Sequence, residues 1–404
     1  MAKLSSSNGL EKRPKLRFPE FKEPYRSARL GEIAVLINRT DPKSAAPIMM
    51  LSAGNGFIMQ SDKYSRYNAG QSLKKYILLK KGELAYNHGA SKAKQFGCCY
   101  ELLEDEALIP YVYHCFKVDK NEYTPYVAFL LNNPKIDRQL KRLVSSSARM
   151  DGLLNISFKD YMSINLSLPP YAEQKQVSDF IKRIDERIVI QEQLISSLKK
   201  YKRGLINEIL SERVKLSADK WITCRIGDFL CPKSVKQLPS EDAPLMAFTS
   251  TSGVCEKGER YDRGFLVKDV TTKMYKRTDY GDFIYSSNNI DVGSIGLNLY
   301  GSAVISDVYE IFSIRYADPW FISETIQQKK VIHNILKYRQ GCLYGQYRIY
   351  AEDFMSVHIR VPTLNIQKKI GSIFSQINRR ITSEQNLLYL LEKIRASLLQ
   401  QLFI

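Results

Sequence analysis

The strongest constraint on this chain is that it repeats itself. Phe158-Lys159-Asp160-Tyr161-Met162-Ser163, followed by Leu168-Pro169, returns as Ala351-Glu352-Asp353-Phe354-Met355-Ser356, followed by Val361-Pro362, at an offset of 193 residues. The same offset carries Gln174-Lys175 onto Gln367-Lys368, Ile184 onto Ile377, Ile188 onto Ile381, Leu198 onto Leu391 and Leu205 onto Leu398. Upstream the match loosens: Leu30-Gly31-Glu32 corresponds to Ile226-Gly227-Asp228, and Lys81-Gly82-Glu83 to Tyr280-Gly281-Asp282. A duplicated chain of 404 residues folds as two related units, each a variable segment followed by a better-matched one.

The matched segments read as helices. Val177, Ile181, Ile184, Ile188, Leu194, Ile195, Leu198, Leu205 and Ile209, with Phe180, fall at three- and four-residue steps, and Ile370, Phe374, Ile377, Ile381, Leu388, Leu391, Ile394, Leu398 and Leu402 repeat the pattern. Proline precedes both runs, where a helix can begin but not continue. A helix from Ala172 to Leu210 spans about 58 Å at about 1.5 Å per residue, a length typical of coiled coils. Two such stripes bury each other most simply as an antiparallel pair, and Gly204, opposite the small Ser397 in the repeat, reads as a point of close helix approach. The variable segments read as α+β, with β-type runs such as Tyr76-Ile77-Leu78-Leu79, and helix starts at Thr124-Pro125 and Asp318-Pro319. The fold class is therefore α+β: two α+β domains separated by two long helices in an antiparallel coiled coil, with an internal pseudo-twofold repeat. The segments are a mobile tail at 1–15, a first domain at 16–167, a first helical spacer at 168–212, a second domain at 213–360 and a second helical spacer at 361–404.

Charge narrows the partner. Sixty Lys and Arg against 42 Asp and Glu give a formal +18, of which the two helices hold a third. The balance suits a polyanion, and nucleic acid, RNA or a membrane surface would each satisfy it. No run of about 18 apolar residues and no signal-peptide core is present, so a cytoplasmic protein without a membrane partner is expected. The seven cysteines, including the adjacent Cys98 and Cys99, have no disulfide or zinc spacing, and His88, His114, His333 and His358 stand singly.

Catalytic motifs are wanting. Leu168-Pro169-Pro170-Tyr171 is similar to the Asn-Pro-Pro-Tyr box of adenine methyltransferases, but leucine cannot accept the hydrogen bond from the amine being methylated. No glycine-rich loop suits S-adenosylmethionine, and no Gly-Lys-Ser or Gly-Lys-Thr makes a phosphate loop. The run of Glu101, Glu104, Asp105 and Glu106 reads as a solvated loop or helix face. The remaining candidates are polar loops at similar places in both copies. The first copy offers Tyr86, Asn87, Ser91, Lys92 and Lys94, then Ser145, Ser146, Ser147 and Arg149. The second offers Ser286, Ser287, Asn288 and Asn289, then Arg339, Gln340, Tyr344, Gln346, Tyr347 and Arg348. Such side chains position a protein on phosphates and discriminate base edges.

With these residues in hand the layout resembles the specificity subunit of type I restriction-modification systems. The resemblance rests on Leu168 to Lys175 with its long helix, the echo from Val361 to Lys368, and Leu16-Arg17-Phe18-Pro19-Glu20-Phe21 ahead of Leu30-Gly31-Glu32. The second copy departs from it at Asn365-Ile366, where the first has Ala172-Glu173. The resemblance implies a non-catalytic, DNA-binding subunit. Each target recognition domain would read one half of an interrupted, asymmetric site in double-stranded DNA. The helices would space the half-sites and dock two modification subunits, with restriction subunits completing the complex. It also implies that S-adenosylmethionine, ATP and magnesium belong to partner subunits. A self-contained methyltransferase or nuclease, and a coiled-coil scaffold that reads no bases, are the alternatives.

Overall fold

The computed structural model describes residues 14–403 apart from 64–69, 90, 92–93, 145–153, 155, 215–219, 251, 257–272, 289, 293 and 342–346. Its two compact units do not follow chain order: one comprises residues 1–192 with 387–404, the other residues 193–386. The candidates Lys92, Ser145, Ser146, Ser147, Arg149, Asn289, Tyr344 and Gln346, and all but the end of the 1–15 segment, lie outside the described residues.

Each unit is built on the same antiparallel topology. In the first, a four-stranded sheet runs Ala34–Leu36, His114–Val118, Leu84–Asn87, Cys98–Glu101. In the second, the order is Leu230–Pro232, Tyr309–Ile314, Phe283–Ser286, Ile295–Leu297. A separate strand pair closes each unit, Arg26–Arg29 with Asn165–Leu168 and Ile222–Arg225 with His358–Val361. Helices Thr124–Leu131 and Pro134–Leu143, and their counterparts Pro319–Ile326 and Lys329–Leu336, complete the α+β layers. Asp318 caps its helix by accepting from Phe321 N at 2.9 Å. Thr124, expected to do the same, is instead the first helical residue, and the position before it, Tyr123, makes no side-chain cap.

The repeated motifs are joints of this topology. Gly31 and Gly227 lie against Met162 and Met355, where a Cβ would meet the methionine Cβ at 3.3 and 3.1 Å. The acid one residue on receives the backbone N–H at the start of the turn: Arg29 N donates to Glu32 and Arg225 N to Asp228, at 3.0 and 2.8 Å. Gly82 and Gly281 have φ of 81° and 87°, a region that favours glycine. The acids after them accept from Lys80 N and Asp279 N, both at 2.7 Å. Gln174 and Gln367 are the joint between domain and long helix. Each donates to the carbonyl of the proline before it, Pro169 or Pro362, at 2.9 Å, and accepts a backbone N–H from the domain, Tyr123 or Asp318. The carboxylate of Glu173 is fully buried and held by Arg17 and Tyr25, whereas its repeat partner Ile366 packs into the second core.

The long helices run from Tyr171 to Leu210 and from Leu364 to Gln401, 40 and 38 residues. They pack antiparallel, as the stripes require. In the first unit Arg395 donates to Asp185, and in the second Lys202 donates to Asn378. Their far ends enter the domain cores. Leu402 and Phe403 are buried in the first core, where Asn133 Nδ2 and Lys135 Nζ each donate at 2.8 Å to the carbonyls of Leu399 and Phe403. Ile206 and Ile209 are buried in the second. Two expectations about the stripe need correction. Phe180, Leu194 and Ile394 are exposed rather than buried, Phe180 meeting Phe18 edge to face. Gly204 is exposed and a Cβ there would touch nothing within 4 Å, so it marks no close approach. The acidic run at 101–106 is a strand end, a turn and a strand start, not a helix face. Among the described residues no helix is long and apolar enough to cross a membrane.

Candidate nucleic-acid interface

In the second unit the fold brings together the two candidate loops that lie far apart in sequence, and the first unit has the same backbone tie, although its 145–149 candidates lie outside the described residues. Leu154 N donates to His88 O at 2.9 Å, beside the 86–94 segment, and in the second unit Ile349 N donates to Ser287 O at 3.1 Å. The strand end after Leu84–Asn87, or after Phe283–Ser286, thereby meets the segment that precedes the last short helix of the domain. In the second unit two polar groups chosen separately by sequence thus form one surface.

Not every candidate reaches that surface. Tyr86 is buried, stacked on Tyr161 with ring centroids 3.9 Å apart, and its hydroxyl donates to Phe96 O at 2.7 Å. Its counterpart Tyr285 stacks on Phe354 in the same way, at 4.3 Å. Tyr86 is therefore corrected from a reading residue to a core residue of the described fold. Lys94 is half-buried; burial lowers its ammonium pKa, and Nζ donates to Asn132 O at 2.9 Å. Ser286 and Ser287 are buried, Ser287 Oγ bonding Val308 O and Asn288 Oδ1. The exposed or half-exposed members are Asn87, Ser91, Lys94, Asn288, Arg339, Gln340, Tyr347 and Arg348. Asn87 holds its own loop by accepting from Gly89 N.

In the second unit this surface is a short hairpin, Gln340–Gly341 paired with Tyr347–Arg348. Arg339 Nη2 donates to Asp291 at 2.7 Å and its guanidinium lies 5.3 Å from the Tyr347 ring centroid. Arg348 Nη2 donates to Glu310 at 2.9 Å and lies 5.1 Å from that of Tyr350. The other oxygen of Glu310 accepts from Lys276 Nζ at 2.9 Å, and Gln340 donates to Asp353. A cleft of about 300 Å³ borders Asp291 and is lined in part by Lys329 and His333.

Sequence reading missed Asp291, Glu310 and Tyr350. Glu310 had a signal, as the lone carboxylate in the apolar strand Tyr309–Ile314. It also missed that His88 ties three segments together, its ring nitrogens lying 2.7 and 2.8 Å from the carbonyls of Leu154 and Val112. The His88 and His114 rings stack at 5.1 Å, and burial lowers the His114 pKa. Among the described residues no group of three or more His, Cys, Asp or Glu side chains is placed to hold a metal.

No protein-family model matches the chain. Its fold is similar to the crystal structure of the type I restriction-modification system S subunit from M. genitalium, with 14% identity, a TM-score of 0.60, and coverage of 97% of this chain and 99% of that one. It is also similar to a chain from a structure on the complex assembly and conformational transition of the type I R-M system, at 15% identity and a TM-score of 0.51, covering 95% of this chain and 98% of that one. Over nearly its whole length, the chain has the fold of the type I restriction-modification S subunits.

Proposed function

We propose that this chain is the sequence-specific DNA-recognition subunit of a type I restriction-modification complex. Each domain reads one half of a bipartite double-stranded site, and the helix pair spaces the domains and docks two modification subunits, which restriction subunits join. The observation that carries the reading is the meeting of two polar loops in the second unit, at Ser287 with Ile349, where Arg339, Gln340, Tyr347 and Arg348 are exposed or half-exposed. A scaffold has no need of such a surface. The excess of 18 positive charges supports a polyanionic ligand. The chain itself is non-catalytic in this reading; S-adenosylmethionine, ATP and magnesium act on the partner subunits, and the complex works in the cytoplasm.

Salt-dependent binding tests it. Affinity for duplex DNA should fall linearly on a log–log plot against salt, with a slope of about 0.9 per phosphate contacted. A random pool should then yield two defined half-sites around unread base pairs. Binding that never rises above the non-specific level, with modification partners present, favours the scaffold. S-adenosylmethionine binding by the chain alone favours the methyltransferase.

A further inference from the structure

The two arginines of the second unit's hairpin are held differently from a side chain that merely attracts phosphate. Each guanidinium is braced twice, by a carboxylate and by a tyrosine face: Arg339 by Asp291 and Tyr347, Arg348 by Glu310 and Tyr350. The side chains are nonetheless 29% and 39% exposed, so the braced groups face outward in part. The register sets Gln340 opposite Arg348, which places these two on one face of the hairpin. Arg339 and Tyr347, one residue off in each strand, share the other face.

Two physical consequences follow. A carboxylate beside each guanidinium cancels much of its net charge, which weakens a purely electrostatic hold on phosphate. It leaves the planar donor fork intact, because one Nη2 hydrogen is used and both Nη1 hydrogens remain. A fork of fixed orientation is matched by the paired O6 and N7 acceptors of guanine in the major groove, and its ordering cost is already met by the bracing. Glu310 is itself fixed from behind by Lys276, whose Nζ also donates to Tyr309 O at 2.8 Å, so the brace on Arg348 is anchored in the sheet.

We propose that the second domain reads guanine through Arg348, with Glu310 as its positioning residue; Arg339 lies on the opposite face of the hairpin. This rests on the DNA-recognition reading above and assigns its half-site one G·C pair, contacted from the major groove by the face that carries Arg348.

The test selects the full chain, with its modification subunits, on a pool of random-sequence duplex DNA, comparing wild type with R339K, R348K, D291N and E310Q. Lysine keeps the charge and the ion pair but not the fork, so folding is spared while the geometry is removed. R348K should relax preference at one G·C pair of the half-site by roughly 5- to 150-fold. The salt slope and the other half-site should stay unchanged. E310Q should relax the same position less, because the arginine remains, and R339K and D291N, on the other face, should leave the base preference as it is. The proposal is overturned if R348K leaves the motif unchanged, weakens all sequences uniformly, or alters a position that is not G·C, or if R339K relaxes the same position as R348K. A wild-type complex that selects no motif at all overturns the recognition reading instead, and this inference with it.

Discussion

Arg395 donates to both carboxylate oxygens of Asp185, and the residues 193 positions from each, Lys202 and Asn378, form the corresponding hydrogen bond at 2.9 Å. The two helices thus use one pairing rule in both units, an ion pair in the first and a lysine–amide pair in the second, where Lys202 also meets Glu324 at 2.6 Å. Asp185 and Arg395 are each about one-third exposed, so water screens the pair. R395A should cost about 1 kcal/mol in thermal unfolding of the first unit. The double variant D185N/R395K, which copies the other unit's chemistry, should melt closer to wild type than R395A does. A double variant less stable than R395A would show that the two pairings are not interchangeable.

Phe403 is fully buried among Tyr126 and the first unit's other core residues, although it follows the second long helix, which ends at Gln401. Truncating a buried phenylalanine costs about 3–5 kcal/mol. F403A should therefore raise amide exchange in Thr124–Leu131 and Pro134–Leu143 while leaving Pro319–Ile326 and Lys329–Leu336 protected. Equal loss of protection in both helix pairs would contradict the division of the chain into these units.

Gln174 and Gln367 make the same backbone clamp, but Gln174 also donates to the buried Glu122 at 2.6 Å. Replacing either by leucine strands a backbone N–H and a carbonyl, at about 1–3 kcal/mol per buried group. Q174L additionally removes a donor from a carboxylate. Q174L should destabilise more than Q367L in parallel denaturant titrations, and the reverse order would show that the Glu122 contact is of no consequence.

Burial pushes the Cys98 thiol up to about 11 and the Cys115 thiol up to about 12, and raises Cys99 further still. The thiolate, the reactive form, is then about one part in a thousand or less at pH 8. Iodoacetamide at that pH should label the half-buried Cys231 and Cys255 well before Cys98, Cys99 and Cys115, as read by peptide mass spectrometry. Early labelling of Cys98 would place it at a surface the fold does not give it.

Much of this architecture could be read from the residues, and the failures have particular causes. The offset between Gln174 and Gln367 located the domain–helix joints, because those joints need the same side chain in both copies. Which domain receives which helix end was not legible, since Asn133 and Leu399 meet across 266 residues and no local period records that. Tyr86 was misread because Leu84, Ala85 and Tyr86 are all buried, so the strand is covered on both faces and shows no alternation. Gly204 was misread because a small residue has the same appearance in sequence whether it faces a helix or solvent. The braces at Asp291 and Glu310 come from other elements than the arginines they hold, and only the fold supplies that proximity.

The central claim is that each unit reads its own half of a DNA site. It is tested most directly by exchanging residues 16–167 for the corresponding segment of a relative with a different motif, and mapping methylated adenines in cells that carry the complete system. The account predicts that one half of the motif changes and the half read through Arg348 stays. A motif in which both halves change together, or in which neither does, would contradict it.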